Sequence, residues 1–225
     1  MAYKSKRYRA DRDKAPATPL PLADAVNAVK HFSDGKFDQT VEICLHLGID
    51  PKQADQMLRG AVSLPHGIGA TKRVIAFCNV DKVQEAKDAG AIEAGGEELV
   101  QKISDGWFEF DVAIASPDMM RVVSKLGRTL GPKGLMPSPK SGTVTPKIGE
   151  AVKEYAAGKV EFRNDDGGNI HAIVGKKSFP AEMLAENAQA FINHIIKLKP
   201  AAAKGQYVKK VSIAATMTPG IQIVL

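Results

Sequence analysis

No run of apolar residues in this sequence approaches the roughly 20 needed to cross a bilayer, and the basic opening stretch MAYKSKRYRADRDKAPATPLPLADAV lacks the continuous apolar segment of a signal peptide. A soluble cytoplasmic protein is expected. Cysteine is nearly absent. Cys44 and Cys78 fall in apolar stretches that read as separate strands, so they are expected to be reduced core thiols and not a disulfide or a metal pair. The five histidines, His31, His46, His66, His171 and His194, show no metal-ligand spacing, which makes a metal site unexpected. No Ser sits in a nucleophile elbow, and no helix-borne pair of carboxylates stands out.

Phosphate loops are wanting too. Gly67-Ile68-Gly69-Ala70-Thr71-Lys72 precedes its strand, whereas a phosphate loop lies between a strand and a helix N-terminus. Gly127-Arg128-Thr129-Leu130-Gly131-Pro132-Lys133-Gly134 is Walker-like only on the surface, because Pro132 removes an amide and no Ser or Thr follows Lys133 to hold a metal. No cofactor is expected. The basic residues Arg128, Lys133 and Lys140, displayed by Gly and Pro turns, could instead touch a nucleic-acid backbone or belong to a solvated structural loop.

What is present is an ordinary globular composition, 44% hydrophobic and 25% charged over 225 residues, enough for one large or two small domains. The net charge of +6 is unevenly spread. Residues 68–158 carry 12 basic and 12 acidic side chains, whereas the two flanks, 1–67 and 159–225, carry 19 and 13 and therefore the whole excess. The first 14 residues hold six basic and two acidic side chains with Tyr3 and Tyr8 interleaved. They suit a basic arm that neutralises phosphates, or a solubilising terminus.

Leu22, Val26, Val29 and Phe32 recur at helical spacing and predict a helix over 21–33. Val41, Ile43, Leu45 and Leu47 alternate, predicting a strand over 40–47 with one buried face. Asp50-Pro51 predicts the start of a short helix, and 61–64 a second strand. From Thr71 the pattern becomes apolar strands, 73–78 and 110–115, spaced by helices near 80–89, 97–104, 117–126 and 148–157. Such a pattern indicates a parallel, doubly wound sheet. Beyond Gly158, 160–163 and 170–174 flank the turn-rich Asn164-Asp165-Asp166-Gly167-Gly168-Asn169 as a hairpin. A long helix with Leu184, Ala188, Phe191, Ile192 and Ile195 on its stripe follows, then strands over 208–215 and 221–224.

The expected fold is α/β and α+β in two domains. A discontinuous α+β domain from both chain ends, 1–67 plus 159–225, would receive an inserted Rossmann-like α/β domain over 68–158, with hinges near 65–70 and 157–159.

Several segments together carry a family resemblance: KRYR at 6–9, GKFDQTVE at 35–42, LGIDPKQADQMLRGAVSLPHGIG at 47–69, AGGEELVQKISDGWFEFD at 94–111, LGRTLGPKGLMPSPKSGTV at 126–144, KVEFRNDDGGNIHAIVGKKSF at 159–179 and TMTPG at 216–220. In this order they resemble the bacterial-type ribosomal protein L-one family, from the mobile stalk of the large ribosomal subunit. The resemblance implies a non-enzymatic, cytoplasmic ribosomal protein whose terminal domain binds a helical junction of large-subunit rRNA. It further implies repression of translation of its own operon mRNA through the same surface, contact with deacylated tRNA leaving the exit site, no membrane association, and a monomer outside the ribosome.

Carried over residue by residue, Lys36, Phe37 and Thr40 match the family's first RNA-contact segment. Lys36 would meet a phosphate, Phe37 would pack on ribose or base, and the Thr40 hydroxyl would bond a 2′-hydroxyl. Read without the resemblance, Phe37 is an ordinary core aromatic. Arg163, Asn164, His171, Lys176 and Lys177 match a region near the RNA, although His171 reads equally as a buried core histidine. Thr216 and Met217 match a closing Thr-Met-Gly motif in which this chain has Thr218 at the glycine position, where the Thr methyl is expected to hinder a close approach. Two other functions remain open on the residues alone: a nucleotide-using enzyme built on the inserted lobe, and a protein-interacting scaffold.

Overall fold

The alternation of Val41, Ile43, Leu45 and Leu47 produces a strand whose apolar side is buried. The computed structural model describes residues 4–224, so Tyr3 of the basic opening lies outside the described residues. In chain order the elements begin with α1 (Lys6–Lys14), α2 (Leu22–His31), β1 (Thr40–Leu47) and β2 (Arg59–Val62). They continue with β3 (Val74–Phe77), α3 (Val80–Asp88), β4 (Glu93–Gly95), α4 (Glu97–Ser104), β5 (Val112–Ala115), α5 (Met120–Val123), α6 (Gly127–Leu130) and α7 (Ile148–Ala156). The last are β6 (Val160–Arg163), β7 (Asn169–Lys176), α8 (Ala181–Lys197), β8 (Val208–Ala215) and β9 (Ile221–Ile223). This is a mixed α/β chain.

Its contacts fall into two units, one made of the residues up to Gly69 together with those from Val160 on, the other of Ala70–Lys159. In the first, an antiparallel sheet runs in the order β7-β1-β8-β9. Val41, Ile43 and Leu45 of β1, Ile170, Ala172 and Val174 of β7, and Val211 and Ile213 of β8 share one buried cluster with Val26 and Val29 of α2 and Leu184, Ala188, Phe191 and Ile195 of α8. The intervening positions, Glu42, Cys44, His46, His171, Ile173 and Lys210, lie on the opposite face of the same strands. One face is therefore core and the other is open to solvent.

In the second unit a parallel sheet has the order β4-β3-β5. Both β3 and β5 are buried along their whole length, which is why they read as unbroken apolar runs. Alternate residues supply two cores: Ile75, Phe77, Ala113 and Ala115 face α4 and the 119–130 helical segment, while Val74, Ala76, Val112 and Ile114 face α3 and α7.

Four expectations need correction. The basic arm is a helix, α1, started by Ser5, whose side chain accepts from the Tyr8 amide at 3.2 Å. After Asp50-Pro51 the chain forms turns and no helix, because Asp50 Oδ1 accepts from the Lys52 amide at 3.1 Å in a local Asx-type turn. The segments 160–163 and 170–174 are joined only by the Asn164–Ile170 bridge, since β6 pairs with β2 and β7 with β1. Cys44 lies half-buried on the open face of the sheet and is no core thiol, although it and Cys78 are both free.

Candidate nucleic-acid interface

The loop between α2 and β1 carries Lys36 and Phe37, and its two shoulders are fixed by hydrogen bonds, the first to groups buried beneath it and the second to an exposed residue. Asp11, fully buried on α1, accepts from the Ser33 amide at 3.1 Å and from the Ser33 hydroxyl at 2.7 Å. The Lys177 ammonium, also buried, donates to the Phe32 carbonyl and to Asp34 Oδ1, each at 2.6 Å. That hydrogen bond and the adjoining positive charge hold the Asp34 carboxyl below its ordinary range. On the other shoulder Asp38 accepts from the Ser178 amide at 3.2 Å and its hydroxyl at 2.7 Å. Between these ties the tip faces outward: Lys36 is exposed and Phe37 is 51% exposed. Phe37 is thus not a core aromatic.

A second segment is locked against the first. The Thr40 amide donates to Thr216 Oγ1 at 3.0 Å, the Thr216 amide donates to the Thr40 carbonyl at 3.0 Å, and Lys176 Nζ donates to Thr40 Oγ1 at 2.8 Å. Gln39, only 1% exposed, crosses between the segments, accepting from the Met217 amide at 3.2 Å and donating to the Ser33 carbonyl at 3.4 Å. Lys36, Phe37, Thr40, Lys176, Thr216 and Met217 therefore gather at one end of the sheet, with Met217 49% exposed. Two apolar side chains, two lysines and two hydroxyls in one place can stack on a base, pair with phosphate and bond a ribose.

The remaining candidates lie apart. His171 pairs with Cys44, four residues along β1 from Thr40, which at about 3.3 Å per residue places it roughly 13 Å away. Its ring is exposed, not buried, with Nε2 3.8 Å from Cys44 Sγ and 3.9 Å from Asp165 Oδ2. Asp165 is held below the usual carboxylate range by donation from the Asn169 side chain first and then by the Asn169 and Gly167 amides and the nearby His171. Burial, with the Asp165 and Glu42 charges, pushes the Cys44 thiol up and keeps it protonated. Arg163 is exposed at the end of β6 opposite Arg59. Asn164 is buried, accepting from the Leu58 amide at 2.8 Å and donating to the Asp165 carbonyl at 3.1 Å, so its side chain is spent on the backbone of the turn.

Thr218 is likewise turned inward. Its hydroxyl accepts from the Ala215 amide at 2.9 Å and lies 3.3 Å from the Ala215 carbonyl, closing the turn after β8. The expected methyl projecting towards a ligand is replaced by a side chain that caps its own turn. Thr218→Gly should then cost about 1–2 kcal/mol of stability through the lost hydrogen bonds and the added chain entropy, read as a shift of the urea midpoint. An unchanged midpoint would show the cap to be idle.

Sequence reasoning missed Asp11 and Gln39, whose importance is burial without any pattern to announce it. It also passed over Glu42, His46, Ser212 and Lys210 on the open sheet face, although their positions between buried neighbours were available from the period of two. Among the described residues no three His, Cys, Asp or Glu side chains are arranged to hold a metal ion, and no helix is long and apolar enough to cross a membrane.

Comparison with known proteins agrees with the resemblance carried by these segments. The chain is 57% identical to the large ribosomal subunit protein uL1 of Rhodopirellula baltica over 223 residues, covering 99% of each chain. It is 50% identical to the large ribosomal subunit protein uL1 of a Nocardioides species over 225 residues, 98% of this chain and 92% of that one. The family model described as ribosomal protein L1p/L10e matches residues 29–219, which takes in the loop with Phe37, the 159–179 segment and Thr216 to Thr218. With most of its length matched in this way, the chain belongs to the ribosomal protein L1p/L10e family, a family of ribosomal proteins and not of enzymes.

Proposed function

We propose that this chain is a cytoplasmic component of the large ribosomal subunit that binds large-subunit rRNA through its terminal domain, residues 1–67 plus 159–225. On this reading residues 68–158 form an inserted doubly wound domain, and the same terminal surface binds the chain's own operon mRNA to repress its translation. The protein is a monomer outside the ribosome and meets exit-site tRNA once assembled. The observation that carries the reading is the half-exposed Phe37 beside Lys36, held on a loop whose shoulders are hydrogen-bonded, one of them to the buried Asp11 and Lys177, at the sheet end that also presents Lys176, Thr40, Thr216 and Met217. An exposed aromatic on a pinned loop is a costly arrangement for a free surface and a useful one for stacking on a nucleotide. His171 extends the contact along the sheet and Arg163 adds a charge from the end of β6, which pairs with β2, while Asn164 and Thr218 hold their own turns.

The full chain titrated with a large-subunit rRNA stalk fragment at several salt concentrations tests this. Affinity is expected to fall with salt, and the double substitution Lys36→Ala with Lys176→Ala should flatten the log–log slope by roughly 1.4–1.8, at about 0.7–0.9 for each phosphate left without its lysine. A salt profile that is flat in the parent, or saturable binding and turnover of a mononucleotide, would overturn the proposal.

A further inference from the structure

The Gly- and Pro-rich motif of the second unit, not used by the terminal surface, sits in a segment of one-sided charge. Between residues 119 and 147 there are six basic side chains, Arg121, Lys125, Arg128, Lys133, Lys140 and Lys147, and no acidic one. The rest of 68–158 carries six basic and 12 acidic residues. A stretch of sequence that is neutral in sum is therefore strongly polarised.

The fold turns the polarity into a stripe. From α5 through a 3₁₀ turn (Ser124–Leu126) into α6 the chain is nearly continuous helix. Met119, Val123, Leu126 and Leu130, spaced four, three and four apart, are buried on the second unit's core. Arg121, Lys125 and Arg128, spaced four and three apart, fall on the opposite face and are all exposed. Successive charges along this stripe are separated by about 6 and 4.5 Å at 1.5 Å per residue. Among the described residues none of the three forms an ion pair with a carboxylate. Lys133 and Lys140 continue the positive charge through the following loop, Lys133 with its ammonium over the Phe108 ring. Exposed cations without carboxylate partners can take up phosphates without first breaking an ion pair of their own.

We propose that Arg121, Lys125 and Arg128, with Lys133 and Lys140, form a second RNA-backbone site, independent of Phe37 and its neighbours. The proposal rests on the reading of this chain as an RNA-binding ribosomal protein, but on different residues. A lipid surface is a poor partner, because none of the exposed large apolar side chains among the described residues falls between 119 and 147 and nothing there could enter the acyl region. Phosphate fits better, since guanidinium groups bind it bidentately and the stripe offers no apolar anchor of the kind that a protein interface centres on. Both the stalk rRNA and a tRNA present such a backbone.

The test is a set of salt titrations on the full chain with two probes, the rRNA stalk fragment and a deacylated tRNA. Three proteins are compared: the parent, the triple substitution Arg121→Gln, Lys125→Gln, Arg128→Gln, and the control Lys87→Gln, Lys153→Gln, which removes exposed charge from α3 and α7. The triple substitution is expected to weaken binding of at least one probe tenfold or more and to lower its salt slope by about 2, with the melting temperature unchanged. Loss confined to tRNA assigns the stripe to tRNA, and loss confined to the rRNA fragment makes it an extension of the stalk contact. Phe37→Ala, measured alongside, keeps the two surfaces distinct, because failure there with success here would condemn only the terminal site. Unchanged affinity and slope for both probes, equal loss in the control, or displacement of RNA by poly-glutamate charge for charge would overturn the proposal.

Discussion

Phe37→Ala should weaken binding of the stalk rRNA by about 1–3 kcal/mol, roughly 5- to 150-fold, while leaving the melting temperature within a degree or two of the parent. The two halves of this expectation come from one measurement of burial. A core phenylalanine costs about 3–5 kcal/mol of stability when truncated, but half of this ring already faces water and the loop does not depend on it. The loop's position is secured by Asp11 on Ser33, by Lys177 on the Phe32 carbonyl and Asp34, and by Ser178 on Asp38, none of which the substitution touches. The ring contributes where a base or ribose would displace water from its exposed face. Thermal melting and affinity measured on the same preparation decide the matter. A drop in melting temperature of several degrees with unchanged affinity would make Phe37 part of the fold and remove the centre of the proposed surface.

The sequence was most legible where burial follows a period. The strand at 40–47, the long helix at 181–197 and the unbroken apolar strands of the second unit each carry their faces in their spacing, and the structure has them at nearly the expected limits. It was least legible where polar groups do the holding. α1 has no apolar stripe at all, and its only fully buried residue is an aspartate, so hydrophobic periodicity could not find it; the Ser5 cap and the high helix propensity of Arg, Lys and Ala were the available signals. β4 is three residues long and too short for any pattern. At the candidate site, Lys36, Phe37, Thr40, Thr216 and Met217 were named from a family motif, and spacing alone would have left Phe37 in the core. Asn164, Lys177 and Thr218 were named with them, yet their side chains turn inward, because a motif reports that a residue matters and not whether it faces the ligand or the backbone that supports it.

The largest loss of stability is expected at another such hidden polar residue. Asn187, on α8, is fully buried; its Oδ1 accepts from the His66 amide at 3.1 Å, and its Nδ2 donates to the carbonyls of Gly67 at 2.9 Å and Val174 at 2.8 Å. One amide thereby ties α8 to β7 and to the stretch just before the second unit begins, filling both roles of its side chain at once. Asn187→Leu, of similar size, would leave one backbone donor and two acceptors without partners. At about 1–3 kcal/mol for a buried unsatisfied group, and less where water reaches the half-exposed 66–67 stretch, the expected cost is about 2–4 kcal/mol. Urea unfolding at neutral pH measures it. Asn187→Asp separates hydrogen bonding from packing: it keeps the acceptor for His66 but sets a carboxylate against two carbonyl oxygens, which should raise the carboxyl pKa above its unfolded value. The folded state then binds the proton more tightly, so this variant should recover stability as pH falls towards 5 and lose it as pH rises through the raised pKa. Asn187→Leu should show no such recovery. A cost below about 0.5 kcal/mol for Asn187→Leu, or the same pH profile for both variants, would mean that these three hydrogen bonds do not hold the 66–67 stretch to the sheet.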